Sequence, residues 1–296
     1  MPLDRVDQPL LGVALASATV FMFALSDVLN KHLAMSYPAE QVIAVRYLAS
    51  LILLMIFVWP RIGKRLWSAA RPALLVTRGL VLCALSFTLV MALKLMPVGE
   101  TIAIIYLSPL VVMVLAAILF GERTSVVSWI LASIGFGGVL LIVRPGTYLD
   151  PVGISFALGN AAAGTTLHLM TRQLSGAESA ISMLFYATLT GTVVFTAWAL
   201  PGLISDGIPL LDLLLMVMLG AIVTYGHFLF AEAYAYAPAT LIAPVQYVHL
   251  VWAALLGWLV FGHIPDSATT LGMSLIVCAG VLLAMHSHFS EKAGPH

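Results

Sequence analysis

The residues best placed to do chemistry are polar side chains set among apolar ones. Thr19, Asp27, Asn30 and Lys31 share one side of a helical register, and Asn160, His168, Thr171 and Arg172 share another. Spacings of three, four and eight residues return to the same helix face. Tyr225, Phe228, Glu232 and Tyr236 fall on one face of a later segment, with His227 and Tyr234 on a neighbouring one. Gln246 and His249 lie three apart beside Tyr247, and an earlier segment carries Tyr106 and Ser108. Carboxylate, imidazole, amide and phenol groups in this mixture can hold both an ammonium and a carboxylate while the rings contact an apolar side chain. That chemistry suits a zwitterion. Arg46 and Arg78 could each neutralise a carboxylate or draw in an anionic group. The candidate binding residues are therefore Asp27, Arg78, Tyr106, Asn160, His168, Tyr225, His227, Glu232, Gln246, Tyr247 and His249.

Each candidate also has a plainer reading. Lys31 and Arg172 are placed to reach an interface, and Asp27 could simply pair with Lys31. Many of the tyrosines could be ordinary packing, and the two arginines could be tied to helix-end carbonyls. Ser133 and Gly137 recur as Ser274 and Cys278, a small-xxx-small spacing that predicts close helix contact rather than chemistry. Cys83 and Cys278 lie mid-way along separate apolar runs, without bridge or metal spacing. Neither a metal nor any other cofactor is expected.

Apolar residues make up 61% of the 296, and charged residues only 9%, with 13 of each sign. A soluble domain carries about 25% charged residues because water must wet its surface. This chain has the composition of one solvated by lipid. Its zero net charge argues against nucleic acid as a partner, since phosphate binding needs clustered cations. A helix needs roughly 20 mostly apolar residues to cross a bilayer. Ten such spans are predicted, over 10–33, 39–59, 73–94, 99–120, 127–143, 152–172, 179–199, 211–235, 240–261 and 268–287, with Pro38, Pro60, Pro72, Pro97, Pro201 and Pro238 at or near breaks. Pro109 and Pro244 fall inside the fourth and ninth spans, where each removes a backbone hydrogen bond. The first apolar run is too long for a signal segment and follows no basic stretch.

Lys and Arg concentrate on the side of the N-terminus: Arg5, Arg61, Lys64, Arg65, Arg71, Arg123, Arg172 and Lys292, against Lys31, Lys94 and Arg144 opposite. Positive loops stay inside, so both tails, 1–9 and 288–296, are expected in the cytoplasm of a bacterium whose inner membrane holds the chain. A shift of 141 residues lays the second half on the first without a gap. Gly79 meets Gly220, Phe87 meets Phe228, Pro97 meets Pro238, Tyr106 meets Tyr247 and Gly121 meets Gly262. Five spans per half is an odd number, so the halves must enter the membrane in opposite senses. The expected fold is an all-α polytopic membrane protein of ten helices in two inverted five-helix repeats, 10–145 and 152–287.

Gly121-Glu122-Arg123-Thr124, the glycines 135, 137 and 138 and the Ile142-Val143-Arg144-Pro145 exit resemble the end of an EamA repeat, a family of the drug/metabolite transporter superfamily. Arg46 and Met96-Pro97 are similar to that family's pattern too. The second copy departs from it, with Gly262-His263-Ile264 in place of Gly-Glu-Arg and Ala187 opposite Arg46. The resemblance implies a central cavity lined by the first four helices of each half, a buttressing fifth helix, and export of small metabolites, amino acids prominently. Aromatic amino-acid exporters of the YddG type are similar in length and layout.

Inverted repeats recur in secondary transporters with a site near the bilayer midplane. The expectation is an exporter of amino acids, with protons a candidate coupling ion through Asp27, Glu232 or the histidines. An exchanger of phosphorylated or nucleotide-linked sugars would want several converging cations, and only Arg46 and Arg78 lie within spans. An intramembrane enzyme is disfavoured, because no His-Glu-x-x-His and no nucleophile–base pair stands out. No Walker-type loop is present.

Overall fold

The computed structural model describes residues 8–120, 125–144, 148–174, 177–205, 207–237, 242 and 245–292, and the regular structure among them is helical. The helices are α1 (Pro9–Ser36), α2 (Ala39–Phe57), α3 (Trp59–Ile62), α4 (Pro72–Leu95), α5 (Val98–Ile105), α6 (Leu107–Phe120), α7 (Val126–Val143), α8 (Pro151–Leu174), α9 (Ala180–Ser205), α10 (Leu210–Tyr236), α11 (Val248–Phe261) and α12 (Ser267–Lys292). Six stretches among the described residues are long and apolar enough to cross a membrane: Leu10–Ser36, Ala39–Phe57, Pro72–Leu95, Val126–Val143, Ala180–Gly202 and Leu210–Phe230. Val98–Val112, Val248–Phe261 and Ser267–Leu283 are apolar but shorter. The 24-residue α8 is diluted by Asn160, Thr165, Thr166, His168 and Thr171.

Three predicted spans differ from the observed helices. The fourth span is two helices, α5 and α6, parted at Tyr106 (φ −66°, ψ 0°). Pro109 has no N–H for the Ile105 carbonyl, so the helical ladder is interrupted there. The ninth span is interrupted at the equivalent residue, with Tyr247 in a turn immediately before α11. Pro201 does not end the seventh span, since α9 carries it inside its C-terminal part and continues to Ser205. Pro244 lies outside the described residues.

The chain forms two compact units, each drawing helices from both halves of the sequence. In the unit made of Leu29–Leu95 and Pro151–Thr224, α4 packs along α8 and α9, and α2 along α9. Its core gathers Ile43, Tyr47, Cys83, Val90 and Phe195, with the Tyr47 and Phe195 rings stacked at 5.9 Å. A Cβ on Gly79 would lie 2.8 Å from Thr190 Cβ, and one on Gly220 would lie 2.8 Å from Ala49 Cβ. These two close approaches are the same contact under the 141-residue shift, with the halves exchanged.

In the unit made of Met1–Val28, Met96–Asp150 and Tyr225–His296, α7 runs along α12 and α5 along α11. Helices α7 and α12 are themselves counterparts under the shift, as α2 and α9 are in the first unit. Their crossing is not made by the predicted small residues. Ser133, Ser274 and Cys278 are exposed, and a Cβ on Gly137 would meet open space. Gly138 and Gly272 make the contact instead, each so close that a Cβ would lie 2.6 and 2.5 Å from the other's carbonyl oxygen. Ala132, Gly135 and Ala279 are buried with them.

Candidate functional site

The two interrupted helices bring Tyr106 and Tyr247 together, their ring centroids 5.3 Å apart. Tyr106 donates its hydroxyl proton to the Gln246 main-chain oxygen at 2.5 Å. His249, on the first turn of α11, sets Nδ1 3.3 Å from the same hydroxyl. On the other edge of its ring, Nε2 lies 3.0 Å from Asp27 Oδ2 of α1. Asp27 is 4% exposed. Distance and direction disagree at this contact. The atoms are at ion-pair distance, yet the ring N–H does not point along the line between them, and both atoms lack a hydrogen bond. Charged groups in such a setting are costly unless paired or wetted.

Aromatic side chains enclose the cluster. Phe23, one turn before Asp27, lies 6.4 Å from the His249 ring and 5.1 Å from His227 of α10. It fits there because Gly226 has no side chain: a Cβ would come within 2.9 Å of the Phe23 ring. Phe21 meets Trp252 edge-on at 5.1 Å. Tyr225 and Phe228 stack on each other at 6.2 Å and are both exposed, while Glu232 is half-buried further along α10. The structure thus joins Asp27, Tyr106, Gln246, Tyr247 and His249 directly, and His227 through Phe23.

The remaining candidates, Arg78, Asn160 and His168, lie in the other unit. Arg78 Nε donates to Thr171 Oγ1 at 2.9 Å, and its Nη1 reaches the Met183 carbonyl at 3.4 Å. His168 is exposed. Asn160 is 2% exposed, and its amide donates to the Leu85 carbonyl at 2.6 Å and to Thr88 Oγ1 at 3.2 Å. Arg46 is not tied to a helix-end carbonyl. Its Nη2 donates to Ser86 Oγ at 2.9 Å and its guanidinium lies over the Tyr47 ring. Lys31 donates to the Leu93 carbonyl at 2.7 Å.

A second cluster escaped the sequence reading. Glu100 is fully buried in the first turn of α5, and its Oε1 accepts from Tyr148 (2.5 Å) and His263 Nε2 (2.7 Å). Beside it, Arg144 pairs with Asp266 at 2.5 Å, and Asp266 accepts the Thr269 N–H at 2.7 Å. Burial, and then the Glu100 carboxylate, push the Tyr148 phenol up from its ordinary range. The Thr269 N–H and hydroxyl hold Asp266 down, with Arg144 adding to the effect. The available signal was a lone acid in the turn after Met96-Pro97, where the helix N-terminus favours a carboxylate.

Apolar helices of spanning length, two interrupted helices and an acid–imidazole contact buried between them define a polytopic membrane protein with a polar interior. The chain belongs to the EamA-like transporter family, whose pattern matches residues 10–144 and again 151–285. It is 26% identical to the S-adenosylmethionine uptake transporter of Rickettsia prowazekii over 98% of this chain and 96% of that one. It is 28% identical to the pseudopaline exporter CntI of Pseudomonas aeruginosa over 92% and 95%. The riboflavin transporter of Vibrio cholerae is 29% identical over 61% of this chain and 60% of its own length. A crystal structure sharing 17% identity superposes with a TM-score of 0.66 over 96% of this chain and 99% of the other, which shows the shared fold.

Proposed function

We propose that this chain is a secondary transporter of the bacterial inner membrane that exports small zwitterions, apolar and aromatic amino acids foremost. It works by alternating access between two inverted five-helix repeats, 10–145 and 152–287, with ten spans and cytoplasmic ends. The exchanged contacts Gly79–Thr190 and Gly220–Ala49 support the repeat reading, because a two-fold relation between opposed halves produces such twins. Helices broken at corresponding positions of two repeats are a feature of transporter binding sites, and the breaks at Tyr106 and Tyr247 correspond under the 141-residue shift.

The observation that carries the proposal is the Asp27–His249 contact beside those breaks: two buried polar atoms, 3.0 Å apart, with no hydrogen bond. An ammonium group entering there would gain the carboxylate, and Tyr106, Tyr247 and Phe23 supply aromatic faces for the rest of the substrate. His227, Gln246, Glu232 and Tyr225 belong to the same proposed locus. Arg78 and His168 form a separate proposed locus for anionic groups within their own unit.

Counterflow in liposomes tests this, using labelled phenylalanine, tyrosine, methionine, S-adenosylmethionine, riboflavin and a hexose phosphate. Exchange of the amino acids, reduced at least tenfold by Asp27→Asn, is the expected result. Exchange of the hexose phosphate alone would overturn it in favour of a sugar-phosphate exchanger.

A further inference from the structure

We infer that the loop between α2 and α4 is a binding site for anionic phospholipid, in which Lys64, Arg65 and Arg71 supply the charge for the headgroup and Trp59 and Trp67 the apolar contact below it.

Residues 58–72 carry four cations, Arg61, Lys64, Arg65 and Arg71, and no Asp or Glu. All four are exposed. The ion pairs among the described residues involve Arg144, His249 and His263, so none of the four is paired with a carboxylate there. Arg61 is used locally, since its Nη1 donates to the Phe57 carbonyl at the end of α2. Glu178 approaches the loop, but its Oε1 accepts the Arg71 main-chain N–H at 2.6 Å. Even with that carboxylate counted, cations are in excess. Such a cluster beside a spanning helix attracts anionic lipid headgroups.

A positive loop needs only its charge to set orientation, and a slack chain would serve for that. This loop is built. Helix α3 turns at Gly63, where φ is +57°, into one turn of 3-10 helix over Gly63–Leu66. Leu66 is fully buried and anchors that turn. Helix α9 fastens the next residues: Tyr186 donates to the Trp67 carbonyl at 3.1 Å, and the Ser182 hydroxyl to the Ser68 carbonyl at 3.2 Å. The Trp59 and Trp67 rings meet at 5.6 Å, and Trp67 lies 6.3 Å from Phe185. Both indoles nevertheless remain exposed. Indoles at the end of a spanning helix sit at headgroup level. A fixed surface that offers cations and apolar rings together fits a phosphate with acyl chains attached better than a free phosphate.

The test uses the full chain in phosphatidylcholine nanodiscs containing a minor lipid with brominated acyl chains, a short-range quencher of indole fluorescence. Brominated phosphatidylglycerol is compared with brominated phosphatidylcholine, and the signal of the loop is the part lost in Trp59→Phe/Trp67→Phe. Phosphatidylglycerol should quench at the lower fraction, and its advantage should shrink as NaCl rises. Each of Lys64→Gln, Arg65→Gln and Arg71→Gln should weaken the advantage about fivefold. Each leaves three of the four cations in place, which preserves the positive loop. Equal quenching by the two lipids, or an advantage that all three variants keep, overturns the inference. Displacement of phosphatidylglycerol by inorganic phosphate assigns the loop to a free anion and overturns it too. If a variant fails to fold, the salt titration of the unsubstituted chain decides, and an advantage unmoved by NaCl overturns the inference. Nanodiscs expose both leaflets and need no transported substrate, so these outcomes are independent of the orientation and transport readings.

Discussion

Adjacent glycines on α7 make a sharp test of the packing that supports the site. A methyl group added at Gly138 would sit 2.6 Å from the Gly272 carbonyl oxygen, against 3.4 Å where ordinary contact begins. Its neighbours on the other side are no freer, with Ile276 at 3.0 Å and Leu275 at 3.2 Å. A backbone oxygen cannot rotate out of the way, so α7 and α12 must part at their crossing. Overpacking of this kind costs about 1–3 kcal/mol. One residue away, a methyl group on Gly137 meets nothing within 4 Å. Both Gly137→Ala and Gly138→Ala gain the same helix preference, about 0.5–1 kcal/mol. The difference between the two variants therefore isolates the steric cost and should lie near 1–3 kcal/mol, with Gly137→Ala neutral or slightly stabilised. Reversible unfolding in mixed micelles, followed by tryptophan fluorescence, measures it, and Trp129 on α7 is one of the reporters. Equal stability of the two variants would refute the register of this helix pair.

Gly280→Ala would drive a methyl group into the buried Tyr247 ring and should lower amino-acid counterflow severalfold, although Gly280 lies outside the proposed binding residues; unchanged counterflow would detach Tyr247 from the site. Asn160→Ala removes an interhelical bond to the Leu85 carbonyl and should destabilise by about 0.6 kcal/mol, the mean for such bonds in membranes, and by no more than about 1.7, read by the same unfolding assay. Tyr148 is stabilised as the neutral phenol, so its contribution is complete below the ordinary tyrosine value of about 10 and fades as pH rises toward its higher folded value. Alkaline unfolding should be less steep in Tyr148→Phe. Asp266 has the opposite sign: its contribution is present above the ordinary aspartate value of about 3.9 and is lost as pH falls through its lower folded value. Asp266→Asn should flatten the acid limb of the stability curve, and an unchanged limb would remove Asp266 from that role.

Much of the layout was legible along the chain. Apolar length marked most helices, because a segment that must satisfy its own backbone in lipid declares itself by composition. The 141-residue shift paired Tyr106 with Tyr247 and Gly79 with Gly220 before any contact was known. Pro109 announced an interruption in the fourth span, though not that it would fall at Tyr106.

Facing was not legible, and the reason is physical. In water, an apolar stripe tells which side of a helix is buried; in a bilayer both lipid and neighbouring helices are apolar, so α7 carries almost no directional pattern. That is why Ser133 and Gly137 looked like the contact and Gly138 proved to be it. The partner of Asp27 was equally hidden, since His249 lies far along the chain and only the packing of α1 against the turn at Tyr247 brings them to 3.0 Å. Glu100 drew no reading along the chain, because its partners Tyr148 and His263 lie far off in sequence and reach it only through packing. By itself the sequence determined that the chain lives in lipid, repeats with a fixed offset and buries polar groups that need partners. Which groups became partners was decided only by the tertiary structure, because hydrogen bonds and ion pairs act over about 3 Å and the chain brings groups that close only when its helices pack.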